Sequence, residues 1–205
     1  AAIGIPRFLP NVSPRRVVQL GLFALLAGTL VLLGGLEPGA GAEIVLVPML
    51  FIGLGIGALA SQLGAVTVSS VSDEESPEVG GLQNTATNLG ASLGTALAGS
   101  LLIAALTSSF VANIQASPAI PDSAKSRAST ELAGGIPFVS DADLEAGLEE
   151  AGADDEVTRA ALEANADARL DGLRAALMIL ALLAVVALFF TAAIPREQAR
   201  SDAAP

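Results

Sequence analysis

Four residue types are missing from this 205-residue chain, which has no Cys, His, Trp or Tyr and draws all its aromatic content from seven Phe. Without Cys and His there is no thiolate or imidazole to ligate a metal, no Cys or His nucleophile, and no Ser-His-Asp relay. A disulfide framework is likewise excluded. Basic residues are scarce, 10 against 21 acids for a formal net charge of −11. With so few cations and stacking rings, no nucleic-acid partner is expected. Neither a metal, a cofactor nor an enzymatic activity is expected. Ala1 stands where an initiator Met would, and no basic segment with a short apolar core and cleavage site follows it. The chain therefore reads as a piece of a longer protein.

What the chain has in abundance is apolar sequence, 52% of its residues. The charges avoid it. Residues 17–36, 44–72, 79–121 and 175–195 contain no Asp, Glu, Lys or Arg. About 20 apolar residues in a helix cross the ~30 Å hydrocarbon layer, and each window is long enough. The fold class expected is an all-α membrane protein with four transmembrane helices, its principal partner the lipid bilayer.

Along the chain, residues 1–16 form a basic surface loop, carrying Arg7, Arg15 and Arg16 among Pro6, Pro10 and Pro14, prolines that forbid regular helix. The first span, 17–36, places Gly21 and Gly28 one heptad apart on a common face. A short loop at 37–43 leads to the second span, 44–71, in which Gly53, Gly57 and Ser61 repeat every four residues; such a stripe lets a neighbouring backbone approach closely. The acidic connector 72–80 holds Asp73, Glu74, Glu75 and Glu78, read as a solvated turn rather than a metal or proton site.

The third span, 81–106, is different because its first half is polar. Thr85, Asn88, Ser92 and Thr95 follow 3-and-4 spacing and make a polar ridge, with Asn84 beside it and a Gly90–Gly94 pair close by. Amides in hydrocarbon are costly unless paired. Asn84 and Asn88, with Gln62 from the second span, therefore either line a water-filled path or hydrogen-bond neighbouring helices as packing contacts, and spacing alone does not separate the two.

Residues 107–172 form a long hydrophilic loop with 13 acids and four basic residues. Its first third, containing Pro118 and Pro121, is expected to be irregular, as is the region of Pro137. Farther on, Ser140 with Asp143 predicts a capped helix with Leu144 and Leu148 one turn apart, and an Ala-rich helix from Asp154 is predicted to run directly into the last span, 173–194. A polar tail, 195–205, closes the chain. Basic residues in short loops mark the cytoplasmic side. Three precede the first span and two follow the last, whereas 37–43 has none. This places 1–16, 72–80 and 195–205 in the cytoplasm and 107–172 outside, in a multi-pass plasma (inner) membrane protein; Arg169 and Arg174 count against it.

The run GLQNTATNLGASLGTALAG resembles the penultimate helix of the 14-helix drug:proton antiporters of the major facilitator superfamily, through Gly81, Asn84, Thr85, Leu89, Gly90, Leu93, Gly94 and Ala96–Ala98. Gly53–Leu59 resembles the helix before it, and PRFLPNVSPRRVVQLG the family's basic cytoplasmic loop, although that loop usually carries an Asp where this chain has Pro10 or Asn11. The resemblance covers nearly the whole chain. It implies helices eleven to fourteen of a major-facilitator-type bundle, the other helices as partners, and proton-driven export of small molecules by alternating access. Gln62, Asn84, Thr85, Asn88, Ser92 and Thr95 would then line the path, and Gly53, Gly57, Ser61, Gly90 and Gly94 would let helices slide. A self-contained four-helix anchor presenting an acidic outer domain to a partner is the competing expectation.

Overall fold

A computed structural model describes residues 12–37, 39–68, 72, 74–131 and 139–194. Arg7, Pro6, Pro10, Asp73, Pro137 and the tail 195–205 lie outside the described residues. Among those described, every regular element is helical: α1 (Pro14–Gly35), α2 (Leu46–Val68) after a 3-10 turn at Ala42–Val45, α3 (Ser76–Ala116), α4 (Asp122–Glu131), α5 (Asp141–Glu150) and α6 (Asp155–Phe190), which ends in a 3-10 turn at Thr191–Ala193. Four segments are long and apolar enough to cross a membrane: Pro14–Gly35, Ala42–Gln62, Ser76–Ala116 and Asp155–Ala193. The chain divides into two units, one of residues 1–35, 41–95 and 179–205, the other of 36–40 and 96–178.

Pro14 opens α1 rather than preventing it. A proline at the first helical position loses no hydrogen bond, since that N–H has no helical partner in any case. The Ser13 carbonyl accepts from the amides of Arg16 and Val17, so Arg15 and Arg16 belong to the first helical turn and not to a loop. Pro77 is the second residue of α3 and Pro48 the third of α2.

In the first unit α1 packs on α2 through glycine. A Cβ at Gly28 would lie 2.8 Å from the Pro48 carbonyl oxygen and 2.8 Å from Ile52 Cγ1. One at Gly55 would lie 2.6 Å from the Gly21 carbonyl oxygen, and one at Gly21 would meet Ala58 Cβ at 3.1 Å. Between lipid-embedded helices there is no water to drive apolar surfaces together, so contact has to come from closeness of this kind.

In the second unit the residues after the third span are not irregular. The helix continues to Ala116 because Leu106, Phe110 and Ile114 form an i, i+4, i+8 stripe, buried against Ala161, Ala164 and Ala168 of α6. Pro118 and Pro121 bracket the turn instead of breaking a helix: Ile120 between them is buried in the same core, and the Pro121 carbonyl accepts from Ala124 at the start of α4. Ser140 caps α5, its hydroxyl accepting from the Asp143 amide at 3.1 Å, and Leu148 packs on the core. Asp154 caps α6 by accepting from the Val157 amide at 2.9 Å, and α6 runs unbroken for 36 residues. At about 1.5 Å per residue, this and the 41-residue α3 greatly exceed the hydrocarbon thickness.

Gly28→Leu is expected to lower the stability of the detergent-solubilised chain by about 1–3 kcal/mol, the usual range for overpacking. Gly53→Leu is expected to be neutral because, beyond its chain neighbours and the surrounding helix backbone, no atom comes within 4 Å of its Cβ position. Thermal unfolding followed by circular dichroism checks both.

Candidate functional site

Polar side chains inside apolar helices are the features most in need of explanation, because each carries donors or acceptors that hydrocarbon does not satisfy. In the first unit they are of two kinds, buried and satisfied or exposed and only locally bonded.

The buried ones are Thr29, Gln62 and Thr191. Thr29 donates to the Leu25 carbonyl at 2.9 Å, which returns its hydroxyl to the helix backbone. Gln62 donates through Nε2 to the Ser61 hydroxyl at 3.3 Å, and Ser61 in turn donates to the Ala58 carbonyl at 2.7 Å. Thr191, the lone hydroxyl of the last span, accepts from Gln19 Nε2 at 3.1 Å and donates to the Leu188 carbonyl at 2.7 Å. This pair ties the start of α1 to the end of α6. Sequence reasoning missed it, although Gln19 and Thr191 are conspicuous as polar residues in otherwise apolar runs.

The exposed ones lie on α3. Asn84, Thr85, Asn88, Ser92 and Thr95 are all exposed, as are Leu82, Leu89 and Leu93 on the other faces of the helix, and no residue from Ser76 to Thr95 is buried. Thr85 donates to the Gly81 carbonyl at 3.0 Å, which spends its hydroxyl on the helix itself. Asn88 donates to Asn84 Oδ1 at 3.4 Å, a long bond. An amide group offers two N–H donors and an acceptor with two lone pairs, so one weak bond between the two leaves most of their capacity directed outward. Beyond their chain neighbours and the surrounding helix backbone, Gly90 and Gly94 have no atom within 4 Å of their Cβ positions. The ridge is therefore an uncharged hydrogen-bonding surface, with Gly90 and Gly94 on the opposite side of the helix. It contains no group that titrates near neutral pH, because no charged residue occurs from Val79 to Pro121.

Gln62 is buried in α2 and is not gathered with the α3 ridge. Of the stripe Gly53, Gly57 and Ser61, Gly53 faces open space, and Gly57 and Ser61 are half-buried. The close approach to α1 passes through Gly55, which the four-residue spacing skips. Gly21 and Gly28 carried the signal for it, since a close face on α1 needs small residues opposite. Glu74, Glu75 and Glu78 are exposed, and among the described residues no group of three or more Asp, Glu, His or Cys side chains is placed to hold a metal ion.

The second unit holds two polar clusters. In one, Asn165 is buried and donates to the Val139 carbonyl at 3.3 Å and to Asp141 Oδ1 at 3.0 Å, while Arg169 donates to Asp141 Oδ2 at 2.7 Å. Burial by itself would raise the Asp141 carboxyl. The hydrogen bonds from Arg169 and Asn165, together with the Arg169 charge, outweigh it and hold the group below its usual value of 3.8. In the other cluster, Asp171 accepts from Ser109 at 2.6 Å and from Arg174 at 3.1 Å, and Arg174 also donates to the Leu36 carbonyl at 2.7 Å. Arg169 and Arg174, which counted against the assigned orientation, are thus both engaged with carboxylates.

Comparison with known proteins gave no match among protein families, curated sequences or solved structures.

A carboxylate whose folded value is depressed contributes stability above its unfolded value, and that contribution disappears as pH falls through the folded value. Asp141→Asn is therefore expected to cost about 0.2–1 kcal/mol at pH 7, as for half-exposed pairs. The gap between parent and variant should begin to narrow as pH falls to about 4, the unfolded carboxylate value, and close only below the depressed folded value. Thermal unfolding at a series of pH values checks this.

Proposed function

We propose that the chain forms helices eleven to fourteen of a secondary active transporter, a proton-coupled exporter of small molecules in the plasma membrane, resembling the 14-helix drug:proton antiporters of the major facilitator superfamily. The observation that carries this reading is the exposed ridge of Asn84, Thr85, Asn88, Ser92 and Thr95 on a helix apolar enough to span a bilayer. Left against lipid, such a face would lose the hydrogen bonds of its two amides at a cost of several kcal/mol. A cover of further helices, or a water-filled cavity, removes that cost. The anchor reading offers neither.

The motif supports the same reading, because its Asn-Thr pair belongs to that ridge while Gly90 and Gly94 of its Leu-Gly and Leu-Gly-x-Ala elements lie on the opposite side of α3. Asn84, Asn88, Thr85, Ser92 and Thr95 then supply hydrogen bonds to substrate or water along the path, and Gly90 and Gly94 admit a neighbouring helix. Amides do not exchange protons near neutral pH, so on this reading the proton is carried by a residue of the other helices. Residues 37–43 and 107–172 face outward, and the C-terminus is cytoplasmic.

Coding sequence upstream of Ala1 is expected to encode about ten further apolar spans in frame, since ~20 apolar residues each suffice to cross. A start codon directly before Ala1 would favour the anchor. In the complete transporter, Gly90→Leu or Gly94→Leu is expected to abolish drug resistance with membrane insertion unchanged; full resistance in both variants would sink the packing role.

A further inference from the structure

The second unit contains one cation that holds three separate segments of the chain. Arg174 lies on α6 just where the charge-free run of the last span begins. One of its terminal nitrogens meets Asp171 Oδ1 at 3.1 Å and the other meets the Leu36 carbonyl at 2.7 Å. Leu36 directly follows α1, so the arginine satisfies a carbonyl at the helix end that has no partner within the helix, where a positive charge is also favoured. Asp171 uses its second oxygen for Ser109 of α3, at 2.6 Å. The guanidinium suits this double duty because its donors form a rigid planar fork.

We propose that Arg174 is a releasable latch, which holds the turn after α1 against the α3–α6 pair and frees that turn when it lets go. Three observations favour release over permanence. The side chains of Arg174 and Asp171 are 38% and 48% exposed, so water and salt compete for the pair. Asp171 divides its oxygens, one for Arg174 and one for Ser109, and departure of the arginine leaves the Ser109 bond in place. The core of the unit, built on Leu106, Phe110, Ile114 and the α6 alanines, contains neither group. The latch therefore opens without unfolding what it closes on. It stands independently of the transport reading.

The absence of Cys makes the test direct, since every introduced thiol is unique. In the full chain in lipid nanodiscs, spin labels at Ala40→Cys and Glu163→Cys, both exposed positions, report the turn relative to α6. Labels at Ala112→Cys and Glu163→Cys report the α3–α6 pair itself. Arg174→Ala is expected to shift the first distance distribution to longer values and broaden it, and to leave the second unchanged. Arg174→Lys is expected to fall between, because one ammonium lacks the planar fork. High salt is expected to broaden the first distribution in the parent with no further effect in Arg174→Ala. An unchanged Ala40–Glu163 distribution in Arg174→Ala would overturn the latch, and so would equal broadening of the Ala112–Glu163 control.

Discussion

The approach of α1 to α2 at Gly21, Gly28 and Gly55 is the constraint on which the first unit depends. With carbonyl oxygens where side chains would otherwise be, the two helices are held by dispersion between backbones, a short-range force that loses about a quarter to a half of its strength when a gap of ~0.5–1 Å opens. That requirement fixes the facing registers of both helices. It also decides which polar residues are buried, since Thr29 and Gln62 are enclosed and each is satisfied within its own helix. The second unit works by the opposite physics. Its hydrophilic sequence surrounds a core in which large α3 side chains leave water, and its polar clusters connect segments far apart in sequence.

The contrast explains what the sequence disclosed. The four apolar segments were legible because lipid imposes a length and a charge exclusion that any reader can count. The Ser140 cap, the Asp154 start and the continuity of α6 were legible because capping is local chemistry. The extension of α3 to Ala116 was not, since serines, threonines and nearby prolines masked the stripe of Leu106, Phe110 and Ile114. Gly55 was overlooked because three glycines in five residues allow several registers, and only the partner helix selects one. Gln19 with Thr191, and Arg174 with Leu36, are pairings across most of the chain length, and one-dimensional spacing has no access to them.

The polar ridge of α3 has a chemical character that bears on any role it plays. It offers donors and acceptors without charge, so it can hold water or a polar group loosely, and it neither attracts nor repels ions at long range. The charges of the chain lie elsewhere, 17 of the 31 in the segment 107–172. Selection by hydrogen bonding and attraction by charge are thus assigned to different parts of the molecule.

The α3–α6 contact sets large residues on one helix against small ones on the other: Leu106, Phe110 and Ile114 facing Ala161, Ala164, Ala168 and Gly172. Sequence drift is consequently unequal on its two sides. Exchange among Leu, Ile, Met and Phe on α3 roughly preserves the volume that fills the gap. On α6 even one added methyl group has nowhere to go: Ala168 is fully buried, and a Cβ at Gly172 would already lie 3.0 Å from the Leu102 carbonyl oxygen. Among divergent copies of this chain, the α6 face should remain alanine and glycine long after its partner has wandered.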